Sequence, residues 1–266
     1  MYWKDTWRFP GSNEIEIKFA GNYGAKGERR SVKAKVTPEQ IAKQNQRNKE
    51  KRMRRLIKAN FIENDLWITL KYPQGTRKAA DEVKRDLKNF MQRLRRAYAK
   101  RETDLKFIYR IEVGARGGIH IHMIANRVGP DSDVVVQKAW GKNGRVNFQS
   151  LYEEGGFEDL AAYIVKQPDE EQYEQLSLFA EEDIKDFIKF SCSRNLVRPE
   201  PERKYYHRRT VKAMLEEGVK PSAGYYIDKN SIVKGVNKYT GYSYLQYTEV
   251  LIKGKDKNAP PGKVKS

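Results

Sequence analysis

The stretch LKFIYRIEVGARGGIHIHMIAN, residues 105–126, predicts a β-hairpin from which the rest of the fold can be worked out. Apolar residues alternate with other residues on both sides of a glycine-rich turn at 114–118. Side chains of a strand alternate between its two faces, so a turn at this point pairs Glu112 with His120. In that register His122 lies one diagonal step from Glu112, on the same face.

Two imidazoles and one carboxylate on a rigid sheet are a suitable ligand set for a divalent cation, with positions left for water or substrate. A histidine-x-histidine pair by itself is more often two surface side chains on the polar face of a strand. The carboxylate expected across from His120, in a strongly basic protein, favours the metal site. We therefore predict that Glu112, His120 and His122 bind a divalent metal ion.

Composition narrows the class of protein. The chain has 266 residues, with 53 lysines and arginines against 35 acidic residues and a net charge of +18, which favours nucleic acid as the partner. The most basic segment has no apolar face of the kind that a membrane-surface helix needs. The single cysteine, Cys192, excludes an internal disulfide framework. With no apolar run of about 20 residues and no signal-peptide pattern, we expect a soluble, cytoplasmic protein without a membrane partner.

The hydrophobic pattern from residue 66 onward predicts the order strand, helix, strand, strand, helix, strand, helix. This order is typical of an α+β fold with a ferredoxin-like, split βαβ antiparallel sheet and helices on one face. The predicted elements are a strand at 66–72, a helix at 77–100, the hairpin, a helix at 134–140, a strand at 144–151 and a helix from about 156 to 167.

Three segments are predicted along the chain. Residues 1–60 form an N-terminal extension with a polar, basic helix, which begins at Thr37-Pro38-Glu39-Gln40 because these residues match a capping box with proline at the first helical position. Residues 61–170 form the main domain. Residues 171–266 form a small C-terminal extension: an acidic linker or external helix, a basic tyrosine-rich module and a tail with the composition of disorder.

Once these features are assembled, the chain resembles a known family. The HIHM at 120–123 resembles the histidine-hydrophobic-histidine motif of HUH endonucleases, and the surrounding chain resembles the rolling-circle replication initiators of plasmids and filamentous phages. That family has a ferredoxin-like sheet, an upstream strand with a central threonine and a downstream helix with tyrosine-x-x-lysine. Thr69 in LWITLKY resembles the first motif and Tyr163 to Lys166 the second, and the resemblance covers roughly residues 61–170.

The resemblance implies a metal-dependent DNA nickase and strand transferase. Tyr163 would attack the scissile phosphate and give a 5′-phosphotyrosine and a free 3′-hydroxyl, with Lys166 beside it on the same helix face. Glu112, His120 and His122 would hold Mn²⁺ or Mg²⁺, which polarises the phosphate. The expected function is sequence-specific nicking and joining of single-stranded DNA to initiate rolling-circle replication.

The implied partners follow from the same chemistry. The substrate would be single-stranded DNA or an origin hairpin. The sequence contains no GxxxxGK[ST] segment, so unwinding is expected from a host helicase, and a host polymerase would extend the 3′-hydroxyl. No second tyrosine lies four residues after Tyr163, so a second strand transfer would need another protomer, as in a dimer, or a host activity.

Several alternatives stay open at this level. Tyr226 to Lys229 is a second tyrosine-x-x-lysine match, and Tyr163 could instead be a core residue of an amphipathic helix. Gln167 makes the helix also resemble that of single-tyrosine transposases, in which such a glutamine can join the metal, so the third ligand is either Glu112 or Gln167. A transposase or a mobilisation relaxase would share the chemistry. A basic DNA-binding protein without catalysis is the alternative from another class.

Overall fold

A computed structural model describes residues 1–21, 35–151, 157–237 and 240–252 of the chain. These residues form two five-stranded antiparallel sheets and seven α-helices, which confirms the predicted α+β class. The tail at 253–266, for which disorder is predicted, lies outside the described residues. None of the helices in the described ranges has the length and apolar character needed to cross a membrane.

The elements follow one another along the chain in a simple order. They are β1 (Tyr2–Arg8), β2 (Ser12–Phe19), α1 (Pro38–Asn60), β3 (Leu66–Lys71), α2 (Ala80–Ala99), β4 (Phe107–Val113), β5 (Ile119–Ala125), α3 (Ser132–Trp140), β6 (Arg145–Ser150), α4 (Glu158–Val165), α5 (Glu170–Leu176), α6 (Glu181–Ile188), β7 (Phe190–Cys192), β8 (Glu202–Tyr206), α7 (Arg208–Glu216), β9 (Tyr225–Val236) and β10 (Ser243–Leu251). From β3 to α4 they reproduce the predicted succession of strands and helices.

The predicted hairpin register is confirmed. β4 and β5 pair antiparallel, and Glu112 is the partner of His120. β5 lies inside its sheet, whose strand order is β6-β3-β5-β4-β7. His122 therefore has a neighbour on each side, Thr69 of β3 and Arg110 of β4. A central strand with partners on both sides is a rigid place for functional side chains.

One face of this sheet packs against α2 and α3. The apolar side chains of α2 recur at helical spacing, as predicted, and form a stripe that is buried against the sheet. Leu94 of α2, Trp140 of α3 and Ile121 of β5 are fully buried in this cluster. Side chains of this kind stabilise a fold by about 1.5–3 kcal/mol each when they leave water.

The opposite face carries a second apolar cluster. Ile57 of α1 and Ile164 of α4 pack there with Ile108 and Ile124 of the central hairpin. Helices therefore lie on both faces of the sheet, whereas the sequence pattern predicts them on one. The reason is that β4 and β5 each carry consecutive apolar residues at one end, so both faces are apolar there.

The acidic segment after α4 belongs to the same compact unit, residues 44–198, rather than to a linker. Leu176 of α5 and Phe187 of α6 are buried in the first cluster. Lys84 of α2 forms ion pairs of 2.7 Å and 2.6 Å with Asp183 and Asp186. β7 then pairs with β4 at the edge of the sheet.

The two ends of the chain form the other compact unit, residues 1–43 with 199–266. Its sheet has the strand order β8-β1-β2-β10-β9, so strands from the N-terminal and C-terminal ends alternate. Tyr2, Ile15 and Leu245 are buried in its core with Val211 of α7. These units do not coincide with the predicted segments 1–60, 61–170 and 171–266, because pairing between distant strands leaves no periodic signal in the sequence.

Candidate active site

Three elements bring together the predicted ligand Glu112 and the predicted nucleophile Tyr163. The hydroxyl of Tyr163, on α4, donates a hydrogen bond of 2.5 Å to Glu112 Oε2 on β4. His122 of β5 places its Nε2 at 2.9 Å from the same oxygen. Both side chains of this pair are largely buried, with exposed fractions of 19% for Glu112 and 12% for His122. One carboxylate oxygen is thus the meeting point of the imidazole and the phenol.

The His122 ring is fixed by contacts on several sides. It stacks on Trp67 at 5.6 Å between ring centroids and meets the Tyr163 ring edge-on at 5.1 Å. Its Nδ1 lies 3.3 Å from Thr69 Oγ1. Its buried Nε2 has no hydrogen-bond partner among the described residues, because the 2.9 Å contact with Glu112 does not have hydrogen-bond geometry. An imidazole nitrogen of this kind is available to a cation.

His120 lies on the same face of β5, across from Glu112. Its ring centroid is 6.1 Å from that of His122. Burial, together with the charges of Lys71 and His122, lowers the pKa of His120 and favours the neutral imidazole that metal binding needs. Within the described ranges, no three histidine, cysteine or acidic side chains are close enough together to form a metal-binding group. Glu112 and His122 make the direct contact, and His120 stands next to them.

The close contacts shift the proton affinities of the acid and the phenol in opposite directions. The contact with His122, and after it the hydrogen bond from Tyr163, lowers the pKa of Glu112 to about 2 despite partial burial. Burial and the Glu112 charge raise the pKa of Tyr163, while Arg110 lowers it by a smaller amount. At neutral pH the site therefore contains a carboxylate and a protonated phenol.

Glu112 should make the stability of the protein depend on pH in the acidic range. Because its folded-state pKa is lowered from 4.5 to about 2, its contribution is present above pH 4.5 and is lost as the pH falls toward 2. We expect Glu112→Gln to lose less stability than the wild-type protein between about pH 5 and about pH 3. Urea unfolding at the two pH values measures the difference, and equal losses would contradict the assignment.

Arg110 is a residue whose role the sequence does not reveal. It is buried, with 4% exposure, and its Nη1 donates hydrogen bonds to the carbonyls of Tyr163 at 2.7 Å, Ile164 at 3.4 Å and Lys166 at 3.0 Å. Those carbonyls have no partner inside α4, because the helix ends there. The guanidinium also lies 5.9 Å from the centroid of the Tyr163 ring. Arg110 thus anchors the end of α4 that carries the phenol.

We expect Arg110→Met to destabilise the protein by about 2–3 kcal/mol, because it removes charge-assisted hydrogen bonds from buried carbonyls. Methionine keeps most of the apolar stem, so packing changes little. The measurement is the free energy of urea unfolding. Arg116→Met, a matched change at an exposed position of the hairpin turn, serves as the control and should leave stability unchanged.

Lys166 and Gln167 lie where the helix has already ended. α4 stops at Val165, and Lys166 takes ψ 137°, since a proline at 168 disfavours helical geometry just before it. Lys166 is exposed, and its Nζ bonds to Asp169 Oδ2 at 3.3 Å. Gln167 is exposed as well. The cation beside the Tyr163 ring is therefore Arg110.

The glutamine that reaches the site is Gln172 of α5. Its Nε2 donates a hydrogen bond of 2.7 Å to Glu112 Oε1. The pattern Asp169-x-x-Gln172 predicts a helix start, and the structure contains that capping box. The pattern does not reveal the contact with Glu112, which lies 60 positions away. Tyr226, the alternative nucleophile, is on β9 in the other unit and 51% exposed.

Comparison with known families supports a protein of DNA replication. Residues 65–168 match the model of a family described as replication-associated protein, of the ORF2 type. The matched segment covers less than half of the chain, and it contains both histidines, Glu112 and Tyr163. No curated protein and no solved structure matches the chain significantly. The match supports the replication-initiator type and leaves the chemistry of the site to be tested.

Proposed function

We propose that this protein is an HUH-type endonuclease that nicks and rejoins single-stranded DNA to initiate rolling-circle replication. The observation that carries the proposal is that the Tyr163 hydroxyl and the His122 imidazole meet at one carboxylate oxygen of Glu112. A core tyrosine needs only one hydrogen-bond partner. A tyrosine placed on the pair that resembles the metal ligands of the family is better explained as a nucleophile.

The proposed reaction is a transesterification at phosphorus. The Tyr163 oxygen attacks the scissile phosphate, the bond between phosphorus and the 3′-oxygen breaks, and the departing oxygen takes a proton to become a 3′-hydroxyl. The 5′ phosphate stays linked to Tyr163. Attack by a 3′-hydroxyl on this linkage reverses the reaction and rejoins strands.

The surrounding side chains control the phenol. Glu112 holds its hydroxyl and disfavours loss of the proton, because a phenolate beside a carboxylate is repelled. Arg110 acts in the opposite direction through its positive charge, and it holds the backbone of Tyr163. Attack therefore requires that the hydrogen bond between Tyr163 and Glu112 be broken.

We propose that Glu112, His120 and His122 hold Mn²⁺ or Mg²⁺. Two imidazoles and one carboxylate match this role by donor type, with Mn²⁺ the better match because Mg²⁺ prefers oxygen ligands. The partnerless Nε2 of His122 supports the same site. When bound, a divalent cation supplies positive charge that offsets both the carboxylate beside Tyr163 and the charge developing on the phosphate.

Single-stranded DNA or an extruded origin hairpin is the proposed substrate, because a side chain in a sheet cleft needs an accessible phosphodiester. The net charge of +18 suits such a polyanion. A host helicase, a host polymerase and, for the second strand transfer, another protomer complete the proposed reaction. The exposed position of Gln167 favours this function over a transposase in which that glutamine joins the metal.

The test uses end-labelled single-stranded oligonucleotides tiled across the DNA that carries the gene, incubated with the protein and Mn²⁺. On a denaturing gel, a 3′-labelled fragment should migrate with the protein, because the 5′ phosphate is linked to it. A 5′-labelled fragment should become shorter and be extendable by a polymerase. Retention of DNA on a native gel with no covalent adduct at any tile would instead identify a binding protein without catalysis.

A further inference from the structure

We infer that Gln172 is a positioning residue that sets the orientation of Glu112 and so prepares one carboxylate oxygen for a cation. The inference rests on the proposed function, which makes Glu112 a ligand. It concerns a side chain that lies outside the sequence motifs and outside the segment, residues 65–168, that matches the replication family.

The two oxygens of Glu112 have separate partners. Gln172 Nε2 donates to Oε1 at 2.7 Å, whereas the Tyr163 hydroxyl and His122 Nε2 approach Oε2. A carboxylate with one oxygen free could rotate about its terminal torsion, which is broad. The amide of Gln172 removes that freedom and assigns Oε2 to the histidine and the phenol.

Gln172 is itself held at both ends of its amide. Its Oε1 accepts a hydrogen bond of 3.2 Å from the backbone nitrogen of Asp169, and its own backbone nitrogen donates to Asp169 Oδ1 at 3.0 Å. This is the capping box of α5. Because Oε1 is occupied by a backbone N–H, the amide can present only its nitrogen to Glu112.

α5 is in turn fixed to the body of the unit. Leu176 at its end is buried in the core beside α2 and the sheet. Lys166 bonds to Asp169 at the helix start. The lysine of the tyrosine-x-x-lysine motif therefore contacts the cap of α5, and its link to the site runs through Asp169 and Gln172.

The experiment measures Mn²⁺ binding by calorimetry, with no DNA present. Gln172→Met keeps the length of the side chain and removes the amide, and we expect it to weaken Mn²⁺ binding about 10–100-fold, the usual effect of losing a partner that orients a metal ligand. Gln172→Asn, which keeps the amide but is one methylene too short, should weaken binding by a similar factor.

Two control variants separate this role from others. Gln167→Met makes the same change at the exposed neighbour and should bind Mn²⁺ as the wild-type protein does. Asp169→Ala removes the side-chain cap but leaves the backbone nitrogen that holds Gln172 Oε1, so it should also bind normally. A loss in Asp169→Ala equal to that in Gln172→Met would assign the effect to folding of α5 and overturn the inference.

Two further results would overturn it: wild-type affinity in both Gln172 variants, or an equal loss in Gln167→Met, which would make Gln167 the glutamine of the metal site. Absence of Mn²⁺ binding by the wild-type protein would overturn it as well. The adduct assay separates these failures from failure of the proposed function, because DNA cleavage by wild-type protein is scored independently of the Gln172 variants.

Discussion

Tyr163→Phe should form no covalent adduct with single-stranded DNA, while Tyr226→Phe should form as much adduct as the wild-type protein. Phenylalanine lacks the oxygen that attacks phosphorus, so the loss should be complete rather than partial. The ring contacts of residue 163 with His122 and Trp67 are kept. Glu112 retains its hydrogen bond from Gln172. The change is therefore confined to the nucleophile.

A denaturing gel with 3′-labelled DNA measures this prediction, and binding on a native gel serves as the control for folding and DNA affinity. The choice of nucleophile would be wrong if the adduct survived in Tyr163→Phe and disappeared in Tyr226→Phe. Loss of the adduct in both variants would point to a need for both hydroxyls, which a single-tyrosine mechanism does not allow.

Glu112→Gln should abolish adduct formation and weaken Mn²⁺ binding by more than about 100-fold, because removal of a charged ligand costs more than removal of a residue that only orients one. The carboxylate has a pKa of about 2, so the wild-type site carries its full negative charge at neutral pH. Glutamine has the same shape without the charge. The hydroxyl of Tyr163 can still donate to the amide oxygen, so the fold should persist.

Calorimetry with Mn²⁺ and the labelled-DNA gel measure the two effects of Glu112→Gln. The matched control is Glu171→Gln, the same change on an exposed residue of α5, which should behave as the wild-type protein in both assays. Adduct formation by Glu112→Gln at the wild-type rate would exclude Glu112 from the machinery, whatever the metal affinity.

The hairpin could be predicted in detail because its register depends only on local alternation. Slipping the register by one residue would place the apolar side chains of one strand on the polar face, so the period of two selects one pairing. The pairing of Glu112 with His120 follows from that alone and is present. The amphipathic spacing of α2 is readable for the same reason.

The chemical neighbours of the phenol could not be predicted in this way. A helical spacing of three places Lys166 beside Tyr163 only if the helix continues, and α4 ends first. Arg110 and Gln172 reach the site from a strand and a helix that are distant from Tyr163 or from Glu112 along the chain. Their partners depend on how α4 and α5 pack, which no local period encodes.

The chain ends and the acidic segment illustrate the same division on a larger scale. The acidic composition of 169–186 suggests a solvated linker, yet a few apolar positions such as Phe187 are enough to bury one side of it. The strands at both ends of the chain form one sheet through pairings such as that of β1 with β8. Pairing of this kind is set by backbone hydrogen bonds that any sequence can make.

The sequence by itself determined the α+β class, the central hairpin and the common face of Glu112, His120 and His122, because strand and helix periods are local properties of the chain. Tertiary structure alone decided that Tyr163 meets Glu112 at one oxygen, that Arg110 supports the end of the nucleophile helix and that Gln172 holds the other oxygen. These contacts join residues more than fifty positions apart. Such contacts form only when whole elements pack, so the packing of α4 and α5 on the sheet places the chemical groups of the site.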